Sequence, residues 1–431
     1  MNEVGVLIVS LKGSYYDPSE FYELIRSANL EIKFSCSAIL DKFDPKSYVR
    51  SGKLDELKDL VSVNNTSFVV VNRDISSSQH RNIQRKLCCQ LIDRTGLILN
   101  IFAQRARSFE GRVQVELAQL DYLKSKLTRE WTHLERQRGG LGLRGPGETQ
   151  LETDRRLLGV RIKQLSTRLK KIKSRRRLAG GLRKKRGRPT VALVGYTNAG
   201  KSSLFNVLTK SDIEARDLMF ATLDPTTRAM EVGRDKRILL TDTVGFIENL
   251  PPTLIAAFGA TLEETIKSQL ILHVVDAAHP ELYERIDVVN KILRMIGAGN
   301  VPTVMVYNKS DLLEGLKQKN KSIGNKLIDS VEVSAINKQG ISLLKRIIEE
   351  NLYGAKNRIT VKLSQSVGRL RALFYDRGLV LAEVVDRTGD IILELEVDRF
   401  ERDLVLKYKD SYELLPTDGH NPDQELAARS I

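Results

Sequence analysis

The residues with the clearest chemical meaning form a glycine-rich loop that joins an apolar run to a helical stretch. The apolar run covers residues 191–194, and the loop reads Gly-Tyr-Thr-Asn-Ala-Gly-Lys-Ser from Gly195 to Ser202. Glycines in this pattern let backbone N–H groups face phosphates, Lys201 reaches the β- and γ-phosphates, and the Ser202 hydroxyl binds Mg²⁺. The sequence therefore predicts a phosphate-binding loop at the start of a helix.

Two further segments would complete a metal-dependent phosphate site. The run Ile-Leu-Leu-Thr-Asp ends at Asp242, where a carboxylate can support Mg²⁺ directly or through water, and the backbone N–H of Gly245 would lie near the γ-phosphate. Residues 220–227 contain three threonines, of which we favour Thr222 as the switch residue that binds Mg²⁺ and senses the γ-phosphate. We predict as catalytic groups Lys201, Thr222 and Gly245, and as metal ligands Ser202 and Thr222.

Two later segments are predicted to contact the nucleotide base. Asn308-Lys-Ser-Asp311 follows the apolar run 304–307, and its final carboxylate can accept hydrogen bonds from N1 and the 2-amino group of guanine, a donor pair that adenine lacks. Ser334-Ala-Ile336 is typical of the segment whose backbone contacts the guanine O6. The predicted GTP-binding residues are Gly195, Tyr196, Thr197, Asn198, Ala199, Gly200, Lys201, Ser202, Phe220, Ala221, Thr222, Leu223, Asp224, Asp242, Thr243, Val244, Gly245, Asn308, Lys309, Ser310, Asp311, Ser334, Ala335 and Ile336.

One position departs from the pattern of many GTPases. Phe246 follows Gly245 at the place where a glutamine commonly orients the attacking water, and a phenyl ring cannot hydrogen-bond water. We therefore expect slow intrinsic hydrolysis, although Phe246 can also serve to pack the segment. Our hypothesis is that a partner or an ion positions the water, with Asn198 as a candidate K⁺ ligand. The alternative is that Asn198 is an ordinary polar loop residue.

The basic residues of this 431-residue chain are strongly localised. The formal net charge is +15, and residues 121–189 alone hold 22 Lys and Arg against 6 Asp and Glu. Such a block in an otherwise neutral chain favours a polyanionic partner. No transmembrane segment or signal peptide is predicted, and the three cysteines are too few for a disulfide framework, so we expect a cytoplasmic location.

The periodicity along the chain predicts an α/β fold with several domains. Residues 1–112 alternate strand-like runs, including 67–71 and 97–102, with helical stretches, which is typical of a small α/β domain. Residues 189–354 would form a P-loop G domain with a mixed, mostly parallel sheet between helices. Residues 356–413 predict a small C-terminal α+β domain with an antiparallel sheet, and we expect residues 414–431 to be a disordered tail.

The basic block coincides with two helical stripes of apolar residues. Over residues 113–178 these stripes favour an antiparallel two-helix hairpin. Its tip would be the glycine-rich stretch 139–147, which cannot lie inside a helix, and the second helix has a capping-box signal at Thr149. Residues 179–188 are interpreted as a basic linker.

Taken together, these motifs resemble the HflX family of the Obg-HflX group of translation-associated GTPases. The resemblance rests on DRTGLILNIFAQRA (93–106), QVELAQL (114–120), GGLGLRGPGET (139–149) and FATLDPT (220–226). Ile336 departs from the wider class, in which lysine is common at this position. The family implies GTP and GDP as ligands, Mg²⁺ as cofactor, and an N-terminal domain, a hairpin and a G domain, with a C-terminal domain in many members.

The resemblance also implies a partner, the large ribosomal subunit and its rRNA, and a role in ribosome splitting, rescue or recycling. Hydrolysis of GTP to GDP and phosphate would then be stimulated by the ribosome. The basic hairpin agrees with this expectation, because four arginines near its tip could contact RNA phosphates. They are Arg138, Arg144, Arg155 and Arg156.

Two other functions stay open on the sequence alone. One is a ribosome-assembly GTPase that acts on precursors, and the other is an RNA-binding scaffold with vestigial hydrolysis. The alternative for the hairpin is a solvated coiled coil used for dimerisation, but we expect a monomer.

Overall fold

The structure is a computed structural model, and it divides into two compact units. One comprises residues 1–231 and 235–341, and the other comprises residues 232–234 and 342–431. The described residues are 2–13, 17–127, 146–185, 189–211, 218–233, 236–248, 259–313, 330–354, 357–364, 367–386, 388–406 and 408–415. Arg138, Arg144 and most of the predicted tip therefore lie outside the described part of the chain, as do residues 416–431.

The first unit begins with a parallel four-stranded sheet in the order β2-β1-β3-β4. Residues 4–9 of β1 are all buried, as expected for a central parallel strand covered on both faces. The strands are β1 (Asn2–Leu11), β2 (Leu30–Leu40), β3 (Phe68–Val71) and β4 (Gln90–Ile92). The helices are α1 (Ser19–Ser27), α2 (Ser51–Asn64), α3 (Ser77–Leu87) and α4 (Arg94–Arg105).

Residues 97–102 do not form the predicted strand, because they lie in α4. The carboxylate of Asp93 caps this helix by accepting a hydrogen bond from the backbone N–H of Gly96 at 2.9 Å. Periodicity cannot distinguish a continuous apolar run in a buried strand from one in a buried helix. Here the run is buried from Leu97 to Phe102 apart from Asn100, and it contributes to the main core of the unit.

Helices α5 (Phe109–Leu127) and α6 (Pro146–Lys185) follow and pack against each other. Val113 clusters with Leu165 and Leu169, whereas Glu116, further along α5, bonds the earlier Arg161 at 2.6 Å. This reversed order shows that the two helices run antiparallel.

The predicted basic linker 179–188 is helical as far as Lys185. Each of the two glycines in this helical part, Gly180 and Gly181, costs about 1 kcal/mol relative to alanine. The neighbouring Leu, Arg and Lys residues are good helix formers, so the glycines do not end α6.

In the part of the chain that the structure describes, no helix is both long and apolar enough to cross a membrane.

The rest of the first unit is built on a six-stranded sheet in the order β10-β9-β8-β5-β7-β6. All neighbours are parallel except β6 and β7. The strands are β5 (Thr190–Gly195), β6 (Thr226–Glu231), β7 (Arg237–Asp242), β8 (Leu270–Asp276), β9 (Thr303–Asn308) and β10 (Ser330–Glu332). The helices are α7 (Lys201–Thr209), α8 (Gly259–Lys267) and α9 (Leu282–Met295).

Helix α10 (Ile341–Tyr353) spans the boundary between the units, and an antiparallel sheet in the order β12-β13-β11-β14 follows it. Its strands are β11 (Asn357–Leu363), β12 (Val380–Val385), β13 (Ile391–Val397) and β14 (Glu413–Leu415), with α11 (Gly368–Asp376) and α12 (Arg399–Leu406). Strand β14 includes Leu414 and Leu415, which the sequence had assigned to the disordered tail. Leu414 pairs with Val361 in β11, so backbone hydrogen bonding holds these two residues in the sheet.

Candidate nucleotide-binding site

The site forms where parallel strands of the six-stranded sheet end at their carboxyl termini. Gly195 ends β5, Asp242 ends β7, Asp276 ends β8 and Asn308 ends β9. Ligands of open α/β sheets bind at this edge, because adjacent loops diverge there and helix N-termini point toward it. The sheet therefore gathers motifs that are more than 100 residues apart in the chain.

Lys201 begins α7 at this edge, and its side chain folds back over the phosphate loop. Its Nζ donates hydrogen bonds to the carbonyl oxygens of Gly195 at 3.1 Å and Tyr196 at 2.6 Å. Burial lowers the pKa of Lys201 to about 8, and the nearby Asp242 partly opposes this shift. Gly200 has φ +83°, and a Cβ there would lie 2.2 Å from Nδ2 of Asn308. Only glycine therefore fits at this position of the loop.

Ser202, Thr222 and Asp242 meet at a single point of the site. The two hydroxyl oxygens are 2.8 Å apart, and they donate to the same oxygen of Asp242 at 2.8 and 2.9 Å. The other oxygen, Oδ1, is buried and has no hydrogen-bond partner among the described residues, and burial raises the pKa of Asp242. A buried carboxylate with a spare oxygen beside two hydroxyls is a donor set that suits Mg²⁺.

The two other candidate threonines lie in β6 instead of at this point. Thr226 pairs with Asp242 through the strand register, and the Thr227 hydroxyl lies 3.0 Å from that of Thr241. The structure thus places only Thr222, of the three, next to Ser202. Its role as a metal ligand remains a prediction.

Gly245 and Phe246 lie directly against the phosphate loop. The backbone N–H of Thr197 donates to the Phe246 carbonyl at 2.8 Å, and the Phe246 N–H donates to the Gly195 carbonyl at 3.0 Å. A Cβ on Gly245 would lie 2.8 Å from the Thr197 methyl group, so a side chain here would crowd the loop. The phenyl ring of Phe246 is buried in the core, so it packs the segment and offers no group to a water molecule.

The residues predicted to recognise the base are linked by side-chain hydrogen bonds. Asn308 is buried, donates to the Ala199 carbonyl at 3.0 Å and accepts from the Ala335 N–H at 3.1 Å, so it joins three loops. The Ser334 hydroxyl donates to the Asp311 carboxylate at 2.5 Å. Lys309 forms an ion pair with Asp276 at 2.8 Å. The hydrogen bond from Ser334 thus fixes the orientation of the Asp311 carboxylate.

A cavity of about 410 Å³ lies between the phosphate loop and the segment after Asn308. Three of its lining residues were not predicted from the sequence: Ser203, which directly follows the loop, Leu218, and Leu312, which directly follows Asp311. The residues that line it are Thr197, Asn198, Gly200, Lys201, Ser202, Ser203, Leu218, Phe220, Ala221, Thr222, Thr243, Gly245, Lys309, Leu312 and Ile336.

The other predicted GTP-binding residues do not line this cavity. Most of them are sequence neighbours of lining residues, but the Asp224 side chain bonds the start of α5. These residues are Gly195, Tyr196, Ala199, Leu223, Asp224, Asp242, Val244, Asn308, Ser310, Asp311, Ser334 and Ala335.

A cavity lined by the phosphate loop at one end and by Lys309, Leu312 and Ile336 at the other identifies this protein as a P-loop GTPase. Three family models that match successive parts of the chain also describe GTPases. Residues 16–103 match the model described as GTP-binding GTPase N-terminal, and residues 105–186 match GTP-binding GTPase Middle Region. Residues 190–309 match the model described as 50S ribosome-binding GTPase.

Curated relatives narrow the class to one family. The chain is 45% identical over 381 residues to the GTPase HflX of Escherichia coli (strain K12), covering 88% of this chain and 89% of the relative. It is 44% identical over 365 residues to the GTPase HflX of Magnetococcus marinus, covering 84% of each. The chain belongs to the HflX family, as its motifs predicted, and it is a GTP-binding enzyme that hydrolyses GTP.

Proposed function

We propose that this GTPase binds the large ribosomal subunit through rRNA contacts of α5 and α6 and acts in ribosome splitting, rescue or recycling. The observation that carries the proposal is the two-sided character of α6. Leu165 and Leu169 pack against α5, whereas seven basic side chains of α6 are exposed, beside the exposed Leu157 and Val160. The basic residues are Arg155, Arg156, Arg161, Lys163, Arg168, Lys170 and Lys171.

A basic helix supported by a partner helix suits RNA, because its cations can follow a phosphate backbone without reading sequence. The 50S ribosome-binding description of the matched family model supports the same partner. Arg155 and Arg156 are exposed in the third turn of α6, on the side of the helix that begins at the predicted tip.

The nucleotide bound at the site would control how long the protein stays on the ribosomal subunit. The Ser202 and Thr222 hydroxyls, with Asp242 behind them, would hold Mg²⁺, which would neutralise charge on the β- and γ-phosphates. Lys201 stabilises the charge that develops as water attacks the γ-phosphate, and the Gly245 N–H holds a γ-phosphate oxygen. Loss of the γ-phosphate removes one of the contacts that hold Thr222 and so loosens this segment, and the protein then leaves the subunit.

The decisive experiment measures GTP turnover with purified large subunits. We expect stimulation by the subunits for the unaltered protein and little stimulation for the pair Arg155→Glu and Arg156→Glu. The matched control is the pair Lys42→Glu and Lys58→Glu, which makes the same charge change at exposed positions of the N-terminal domain. Equal stimulation in both double variants would remove α6 from the mechanism.

Further measurements separate the alternatives. Cosedimentation should weaken steeply with salt if phosphate contacts dominate, because binding releases counterions. Preference for precursor over mature subunits would instead indicate an assembly factor. GTP binding without stimulated turnover would indicate a scaffold, and faster turnover in KCl than in NaCl would support K⁺ at Asn198.

A further inference from the structure

We infer that Asp224 is a positioning residue for GTP hydrolysis, which holds Thr222 at the metal-binding point by binding the N-terminus of α5. Asp224 lies two residues after Thr222, in the segment between the phosphate loop and β6. The inference concerns the hydrolysis reaction itself and does not depend on which partner binds the hairpin.

The Asp224 carboxylate makes three hydrogen bonds at the start of α5. One oxygen accepts from the backbone N–H groups of Arg107 at 3.0 Å and Ser108 at 2.6 Å, and the other accepts from the Ser108 hydroxyl at 2.5 Å. The Ser108 hydroxyl oxygen in turn accepts from the Gly111 N–H at 2.8 Å, as an N-cap does. A carboxylate is stabilised here because the unpaired N–H groups of a helix start carry partial positive charge.

Gly111 provides the space for this contact. A Cβ at Gly111 would lie 2.2 Å from Oδ1 of Asp224, which is far inside contact distance. The position is helical, so its glycine costs helix stability relative to alanine. The close approach of Asp224 supplies the reason for a glycine there.

The residues before Thr222 are anchored as well. The Met219 N–H donates to the Ser27 hydroxyl at 2.9 Å, and the buried Phe220 ring packs edge-on against Phe102 at 4.6 Å between centroids. Phe220 also has φ +55°, a conformation that a bulky residue adopts only when its surroundings impose it.

Thr222 is therefore held from both sides by groups outside the nucleotide site. Two residues of extended chain span about 7 Å at most, so loss of the Asp224 contacts frees the chain close to Thr222 and weakens its placement beside Ser202 and Asp242. A movement at the start of α5 would therefore shift Thr222 through Asp224. In the same way, a change from GTP to GDP would alter the contacts at the start of α5.

The test compares two glycine substitutions in the α5–α6 pair, without ribosomes. Gly111→Ala forces a clash with Asp224, whereas Gly159→Ala in α6 meets no atom within 4 Å and serves as the matched control. For Gly111→Ala we expect kcat to fall about tenfold, as for the loss of a charge-assisted hydrogen bond. The Mg²⁺ concentration for half-maximal rate should also rise, with GDP affinity within about twofold. Gly159→Ala should keep all three values.

A double-mutant cycle keeps the inference testable if Gly111→Ala does not fold. Asp224→Asn and Ser108→Ala should each lower kcat, and the double variant should be no slower than the worse single variant. Unchanged kcat and Mg²⁺ dependence in these variants, even with a lowered melting temperature, would reduce Asp224 to a helix cap. Independent, multiplicative effects on kcat, or a faster rate, would also overturn the inference.

Discussion

The carboxylate of Glu20 in α1 accepts a hydrogen bond from the hydroxyl of Tyr196 in the phosphate loop. Burial, and the negative charge of Glu20, raise the pKa of Tyr196, so the phenol stays protonated as the donor. Glu20 also pairs with the buried Arg94 at 2.5 Å, and Arg94 donates to the Glu248 carbonyl at 3.2 Å. The N-terminal domain thus supports both the phosphate loop and the segment after Gly245.

Glu20→Gln should destabilise the protein by about 3 kcal/mol, because it removes the carboxylate that compensates a buried guanidinium. Denaturant unfolding, followed by a signal that reports on the first unit, would measure the loss in free energy of unfolding. Glu31→Gln, an exposed carboxylate in β2, is the control and should change stability by less than about 0.5 kcal/mol. Equal denaturation midpoints for the two variants would show that the Glu20–Arg94 pair contributes nothing to stability.

Nucleotide binding should take up protons near pH 8. The pKa of Lys201 is lowered to about 8 in the free protein by burial. Bound phosphates favour the charged ammonium and raise this pKa, so a proton is gained at pH values near and above 8. Titration calorimetry of GDP in two buffers with different ionisation enthalpies, at pH 8.5, measures the uptake. Lys201→Met should abolish it, and uptake that persists in this variant would assign the proton elsewhere.

Thr222→Ala should lower kcat by about a hundredfold, because a group that organises the metal and the γ-phosphate is lost. Thr226→Ala should stay within about twofold of the unaltered protein, since Thr226 lies in β6. Single-turnover GTP hydrolysis at saturating Mg²⁺ distinguishes the two. If Thr226→Ala were the slower variant, the assignment of the switch threonine would be wrong.

His273 in β8 should make stability fall at acid pH. Burial and the nearby Lys201 lower the pKa of His273 to about 3, whereas the unfolded chain binds a proton near pH 6.5. Between these values the unfolded state holds more protons, so the free energy of unfolding decreases by about 1.4 kcal/mol per pH unit below 6.5. From pH 7.5 to 5.5, the unaltered protein should therefore lose about 1.4 kcal/mol more than His273→Gln. Identical losses in urea unfolding would exclude this role.

Short contiguous motifs made the class of protein predictable from sequence. The phosphate loop, Asp242 and Asn308 each follow an apolar run, and parallel strands bring their carboxyl ends to one edge of the sheet. Local patterns were less reliable for apolar or glycine-containing stretches. Residues 97–102 lie in the buried helix α4, whose continuous apolar run would equally suit a buried strand, and the predicted linker is helical to Lys185 because glycine only weakens a helix.

The sequence by itself determined the guanine-nucleotide chemistry, the basic hairpin and the HflX family, because these depend on residue type and near spacing. Only the tertiary structure decided which threonine meets Ser202 and which residues support the loops. The contacts of Tyr196 with Glu20 and of Asp224 with Ser108 join residues 176 and 116 positions apart. No periodicity extends over such separations, and folding alone brings these side chains together.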